Sequence, residues 1–104
     1  ISTIQITYSV RNTKIKDFVI KEKDILCIKD GEIVAVEKSP EKALRKVLEL
    51  FSPSYDLITV YLGEDADYNK TRRIMENIEK NYEDVELELY EGDQPVYYYI
   101  LSLE

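Results

Sequence analysis

Three groups of residues have types and spacings that could do chemistry. The first is Gly63-Glu64-Asp65-Ala66-Asp67, where a strand-like run gives way to a helical pattern. That junction is the usual place for an anion or a ligand in α/β folds, because free backbone N–H groups and the helix dipole point outward there. Here three carboxylates stand where a phosphate would sit, and no Gly-x-Gly or Gly-Lys-Ser/Thr pattern accompanies them. Helix capping accounts for the acids, and a divalent cation held by them has no spacing motif behind it. The second group is Thr7-Tyr8-Ser9-Val10-Arg11-Asn12-Thr13, which puts Arg11 among hydroxyls at a strand end. Arg11 could fork onto a carboxylate or phosphate of a partner, although its first reading is an exposed arginine beside an Asn turn. The third is Gly92-Asp93-Gln94-Pro95-Val96-Tyr97-Tyr98-Tyr99-Ile100, a polar turn followed by three consecutive tyrosines.

The missing residue types narrow the chemistry further. The chain of 104 residues has no histidine and one cysteine, Cys27. There is therefore no Ser-His-Asp or Cys-His arrangement, no imidazole base and no usual zinc site. Cys27 lies in the apolar run Ile25-Leu26-Cys27-Ile28 and reads as a buried structural thiol, which points to an intracellular, cytoplasmic origin. The formal charge of -7 argues against nucleic acid or an anionic membrane surface as the main partner. No apolar run approaches the roughly 20 residues of a membrane span, and no charged-then-apolar leader is present. The start at Ile1, without Met, is what a piece of a longer protein would show.

The elements that must position these groups follow from periodicity. Thr3 to Val10 alternates apolar and small polar residues, as a half-buried strand does. Apolar clusters at Phe18-Val19-Ile20 and Asp24 to Ile28 follow, and Asp30-Gly31 between two β-rich runs predicts a hairpin into Ile33 to Val36. Ser39-Pro40-Glu41 starts a helix whose stripe is Ala43, Leu44, Val47, Leu48 and Phe51. Leu57 to Leu62, closed by Gly63, reads as a central strand buried on both faces. Asp65 or Asp67 caps a second helix carrying Ile74, Met75, Ile78 and Tyr82. Val85 to Leu89 alternates and lies nearer an edge, and Val96 to Leu103 is a closing strand.

Two successive strand-helix-strand units crossing over right-handed place both helices on one face of a mixed sheet. The expected fold is thus an α/β (α+β) two-layer sandwich, a single domain over residues 1–104. With nine tyrosines and no Trp, the sheet has a Tyr-rich second face and no layer left to cover it. Tyr97 and Tyr99 should share a face with Leu101 and Leu103, with Tyr98 opposite. Either that second face is a docking surface, with Arg11, Gln94, Tyr97, Tyr98 and Tyr99 as interface residues, or the early strands curl over and close it.

Four stretches together carry a resemblance. Ile6 to Thr13, Asp30-Gly31-Glu32-Ile33-Val34, Tyr61-Leu62-Gly63-Glu64-Asp65 and Gly92 to Glu104 resemble, in order, the C-terminal end of the ATP-binding subunit of bacterial fatty acid kinase, in the dihydroxyacetone-kinase-like family. The part from Gly31 through the second helix also resembles the second subdomain of DegV-type fatty-acid-binding proteins. The resemblance implies a noncatalytic C-terminal, DegV-like domain. ATP and magnesium belong to an N-terminal domain outside these residues, so this fragment has no cofactor and is not itself an enzyme. The full-length protein would be an ATP-dependent kinase making acyl phosphates for phospholipid synthesis. Implied partners are a DegV-type fatty-acid-binding protein, the remainder of the kinase chain or a second copy. A small-molecule or lipid-binding regulatory module with a pocket beside Gly63 or Gln94 is the other reading. Asp93 stands where the family has a second Gly, which suggests that the turn needs no unusual backbone angle there.

Overall fold

A computed structural model describes residues 1–104. In chain order the elements are β1 (Ser2–Tyr8), β2 (Thr13–Ile15), β3 (Phe18–Ile20), β4 (Ile25–Lys29), β5 (Glu32–Glu37), α1 (Pro40–Phe51), β6 (Leu57–Leu62), α2 (Tyr68–Asn81), β7 (Glu86–Glu91) and β8 (Tyr99–Leu103). Six strands form one sheet in the order β5-β4-β1-β8-β6-β7, with β6 and β7 parallel and every other pair antiparallel. The fold is the expected two-layer sandwich of a mixed sheet and two helices.

Local chemistry explains the element ends. Asp30 and Gly31 have φ of 49° and 87°, so both turn residues are left-handed, as a two-residue hairpin that matches strand twist requires. Ser39 caps α1 by accepting the Lys42 N–H at 3.1 Å, with Pro40 opening the helix. Asp67 caps α2 by accepting the Lys70 N–H at 2.9 Å. Every second residue of each strand then faces the helices. Ile4, Ile6, Cys27, Ala35, Ile58, Val60, Leu101 and Leu103 meet Leu44, Val47, Leu48, Ile74 and Ile78 in a single buried core.

Three expectations change. The run Leu57 to Leu62 is the second strand from an edge, and only Ile58, Val60 and Leu62 of its large residues turn to the helices; Tyr61 is exposed. The closing strand begins at Tyr99 rather than Val96, because Val96 has φ of 71° and cannot continue a ladder. Asp93 does adopt a left-handed conformation, with φ of 54°. Asp tolerates that region better than most side chains, so the turn forms with Asp at this position.

Candidate functional site: the helix-free sheet face

Cross-strand register builds the second face. Ile33 pairs with Ile28, Ile28 with Gln5, Gln5 with Ile100, Ile100 with Tyr61 and Tyr61 with Tyr90. Because paired residues point to the same side of a sheet, these six form one row across all six strands, apolar or aromatic except for Gln5. The Tyr61 and Tyr90 rings stack at 5.9 Å with 25° between planes. Further along the same face, Thr3, Ser102, Thr59 and Glu88 make a parallel polar row. Tyr61 and Tyr90 are 39% and 51% exposed, so no part of the chain covers that end of the face.

The early strands close the other end only in part. The β2–β3 hairpin overhangs β4 and β5 and leaves a groove of about 440 Å³ lined by Ile15, Phe18, Leu26, Ile28 and Ile33. Lys16 of the hairpin reaches Glu32 at 3.8 Å across its rim. That pair is well exposed on both sides and holds the hairpin only weakly.

The loop before β8 clips onto one end of the sheet. Gly92 and Asp93 donate their N–H groups to the Leu62 carbonyl at 2.9 Å each, and Gln94 Nε2 donates to the Tyr61 carbonyl at 3.0 Å. Gly63 donates to the Tyr98 carbonyl at 2.8 Å. A Cβ on Gly63 would run into the Tyr97 carbonyl oxygen, so only glycine fits there. Tyr97 N–H reaches back to the Pro95 carbonyl at 2.8 Å, closing a three-residue turn centred on Val96. A β-branched residue at that positive φ is strained, and the Thr7 hydroxyl steadies it by donating to the Val96 carbonyl at 3.0 Å.

The residues singled out in the sequence are placed as follows. Tyr98 is half-buried and packs against the edge of the core, its ring 6.3 Å from Tyr8 in an edge contact. Gln94 and Tyr97 lie in the clipped loop, and the Gln94 amide is spent on it. Arg11 is exposed on the β1–β2 link, its guanidinium in no ion pair. Tyr99 must be removed from the docking surface. It is fully buried on the helix side with Leu101 and Leu103, because β8 alternates and Tyr99 pairs with core Ile6. Its hydroxyl meets Thr71 Oγ1 at 2.7 Å, and burial pushes the phenol up to about 12. The residues that reading from sequence missed are Tyr61, Tyr90, Ile28 and Ile33, whose alignment depends on strand order. Their strand parity was legible; their neighbours were not.

Nucleophilic and metal chemistry find no support in the geometry. Burial, aided by the charge of Glu37, pushes the Cys27 thiol up to about 12, so no thiolate forms near neutral pH. No three Asp, Glu or Cys side chains converge on a common point. Asp24 is the one buried carboxylate; the Lys38 ammonium at 2.8 Å and the Lys21 N–H hold it below the usual carboxylate range. It ties the β3–β4 link to the end of β5. No helix is long and apolar enough to cross a membrane.

Comparison with known proteins gives this arrangement a family. The sequence model of the FakA-like C-terminal family, the C-terminal part of fatty acid kinase subunits of that type, matches residues 1–104. The chain belongs to that family. Its relatives include an uncharacterized protein of Staphylococcus epidermidis, 36% identical over 100 residues, and the protein YloV of Bacillus subtilis, 33% identical over 101. An uncharacterized protein of Staphylococcus aureus is 34% identical over 100 residues. These matches cover 95%, 96% and 95% of this chain respectively, but only 18% of each relative. The FakA-like C-terminal domain is thus a small part of much longer proteins.

Proposed function

We propose that this chain is a noncatalytic docking domain of a fatty acid kinase, and that its helix-free face packs against the remainder of its own longer polypeptide. The observation that carries this is the six-residue row Ile33, Ile28, Gln5, Ile100, Tyr61 and Tyr90, continuous across the sheet and open at its Tyr end. An apolar, tyrosine-rich face of this kind is what interfaces use, since Tyr buries area while its hydroxyl stays solvated at the rim. The relatives' length favours an occupant within the chain, because a tethered segment meets the face at a high effective concentration. The ATP- and magnesium-dependent phosphorylation of a fatty acid would then belong to residues outside these 104. The DegV-like character of the domain, a fatty-acid-binding partner protein and a second copy are the other components of this reading.

The test compares this chain with the full gene product that contains it. Hydrogen exchange along β6 and β7, and the solvent accessibility of Tyr61 and Tyr90, should fall in the longer protein. Tyr61→Glu should leave the isolated chain folded and restore exchange in the longer one. Equal exposure of both tyrosines in the two proteins would exclude the intramolecular occupant. Protection that appears only on adding the fatty-acid-binding protein, or only with rising concentration, would assign the face to that partner or to a dimer.

A further inference from the structure

The helix side carries an arrangement that docking through the opposite face does not use. α1 and α2 each follow strands of one direction, so they run parallel and begin at the same end of the sheet. Between their first halves lies a cleft of about 390 Å³ lined by Lys42 and Arg45 of α1 and Lys70 and Arg73 of α2. Each helix contributes a Lys at its third position and an Arg at its sixth. Glu41 is the single acid in the lining. None of the four cations forms an ion pair. Arg45 Nη1 donates to Asn77 Oδ1 of α2 at 2.9 Å, which holds that guanidinium across the cleft.

This placement is unfavourable on two counts when the cleft is empty of anions. The four like charges repel, and Lys42 and Lys70 lie in the first turns of their helices, at the positive end of each dipole, where acids are normally favoured. The acids at these helix starts are Glu41 in the first turn of α1 and the capping Asp67 of α2, and neither forms an ion pair with any of the four cations. In a chain of net charge -7, a convergence of unpaired cations contradicts the overall balance. The same features become favourable once an oxyanion is present, since two Arg forks and two Lys ammonium groups supply donors in the geometry that phosphate oxygens accept.

The geometry points to a phosphate-binding cleft between the first halves of α1 and α2, with Arg45 and Arg73 bonding the oxygens and Lys42 and Lys70 supplying charge. The ligand class is a phosphate or diphosphate group, carried by a soluble molecule or by a lipid headgroup. Inorganic pyrophosphate is the probe, titrated into the ¹⁵N-labelled chain at constant ionic strength. Saturable shifts are expected at residues 39–45 and 68–74, with Lys14 and Lys16 of the β2–β3 hairpin unmoved. Arg45→Gln and Arg73→Gln should each weaken binding about tenfold, the usual size of one lost charge-assisted hydrogen bond. Arg73→Gln should not lower the urea midpoint, because it relieves repulsion and breaks no hydrogen bond. Co-sedimentation with phosphatidylglycerol vesicles that pyrophosphate reverses and Arg73→Gln abolishes would assign the phosphate to a headgroup. Pyrophosphate binding without vesicle binding would assign it to a soluble ligand. No saturable shift up to roughly 10 mM, past the millimolar range of a weak single site, overturns the proposal. So do equal shifts at the hairpin lysines, which would mark simple counterion screening.

Discussion

Replacing Tyr99 by Phe should cost about 1 kcal/mol at pH 7 and almost nothing near pH 11. Thr71 Oγ1 lies 2.7 Å from both the Asp67 carbonyl and the Tyr99 hydroxyl. A carbonyl can only accept, so Thr71 donates its single proton to Asp67, and the Tyr99 hydroxyl donates to Thr71. Removing that hydroxyl deletes one buried hydrogen bond and leaves a Thr71 lone pair unmet, a loss of about 1 kcal/mol. The alkaline end follows from linkage. The folded phenol titrates at about 12, against an ordinary value of 10.0. Folding therefore holds the proton more tightly than the unfolded chain does. Stability from this group is complete below pH 10 and drains away as pH rises toward 12, by roughly 1 kcal/mol at pH 11 after allowing for screening. Urea denaturation of the native and Tyr99→Phe chains at pH 7, 9, 10 and 11 measures the difference directly, and shared changes from the other tyrosines and Cys27 cancel. A constant difference between pH 7 and pH 11 would refute the upward shift of the buried phenol. So would a variant no less stable at pH 7.

Two other substitutions probe the frame around the site. Gly63→Ala should destabilise the fold by about 1–3 kcal/mol, because its Cβ meets the Tyr97 carbonyl and stands 2.9 Å from that of Tyr98; thermal unfolding reads this, and an unchanged midpoint would mean that the loop yields freely. Asp24 has a lowered folded pKa, so its contribution is present above the ordinary carboxylate range and lost as pH falls below it. Asp24→Asn should therefore be less stable than the native chain at pH 6, with the difference shrinking as pH falls below the ordinary carboxylate range, as followed by circular dichroism in urea.

Much of the architecture was legible because local rules agreed with the final packing. Ser39-Pro40 and the pair Asp65 and Asp67 supplied helix starts, Asp30-Gly31 a left-handed turn, and the 3.6-residue stripes of α1 and α2 a buried face; the structure uses each, with Asp67 as the cap of α2. The limits were reached where one residue's role depends on a partner distant in sequence. Three consecutive tyrosines look alike, yet Tyr97 sits in a clipped loop, Tyr98 leans half-buried against the edge of the core and Tyr99 fills it. Parity assigns Tyr99 to the side of Leu101 and Leu103, but which side the helices cover is set by the crossovers.

The residue pattern by itself determined the two-layer sandwich, the absence of histidine chemistry and the inert thiol, since these rest on composition and on short-range periodicity. Tertiary structure alone decided that Ile33, Ile28, Gln5, Ile100, Tyr61 and Tyr90 stand in one row, because strand order lays Gln5, near one end of the chain, beside Ile100, near the other. It alone decided, too, that Lys42 and Arg45 face Lys70 and Arg73. On either helix taken singly these are an ordinary solvated stripe. They become a cleft only when two parallel helices are laid side by side on the same sheet.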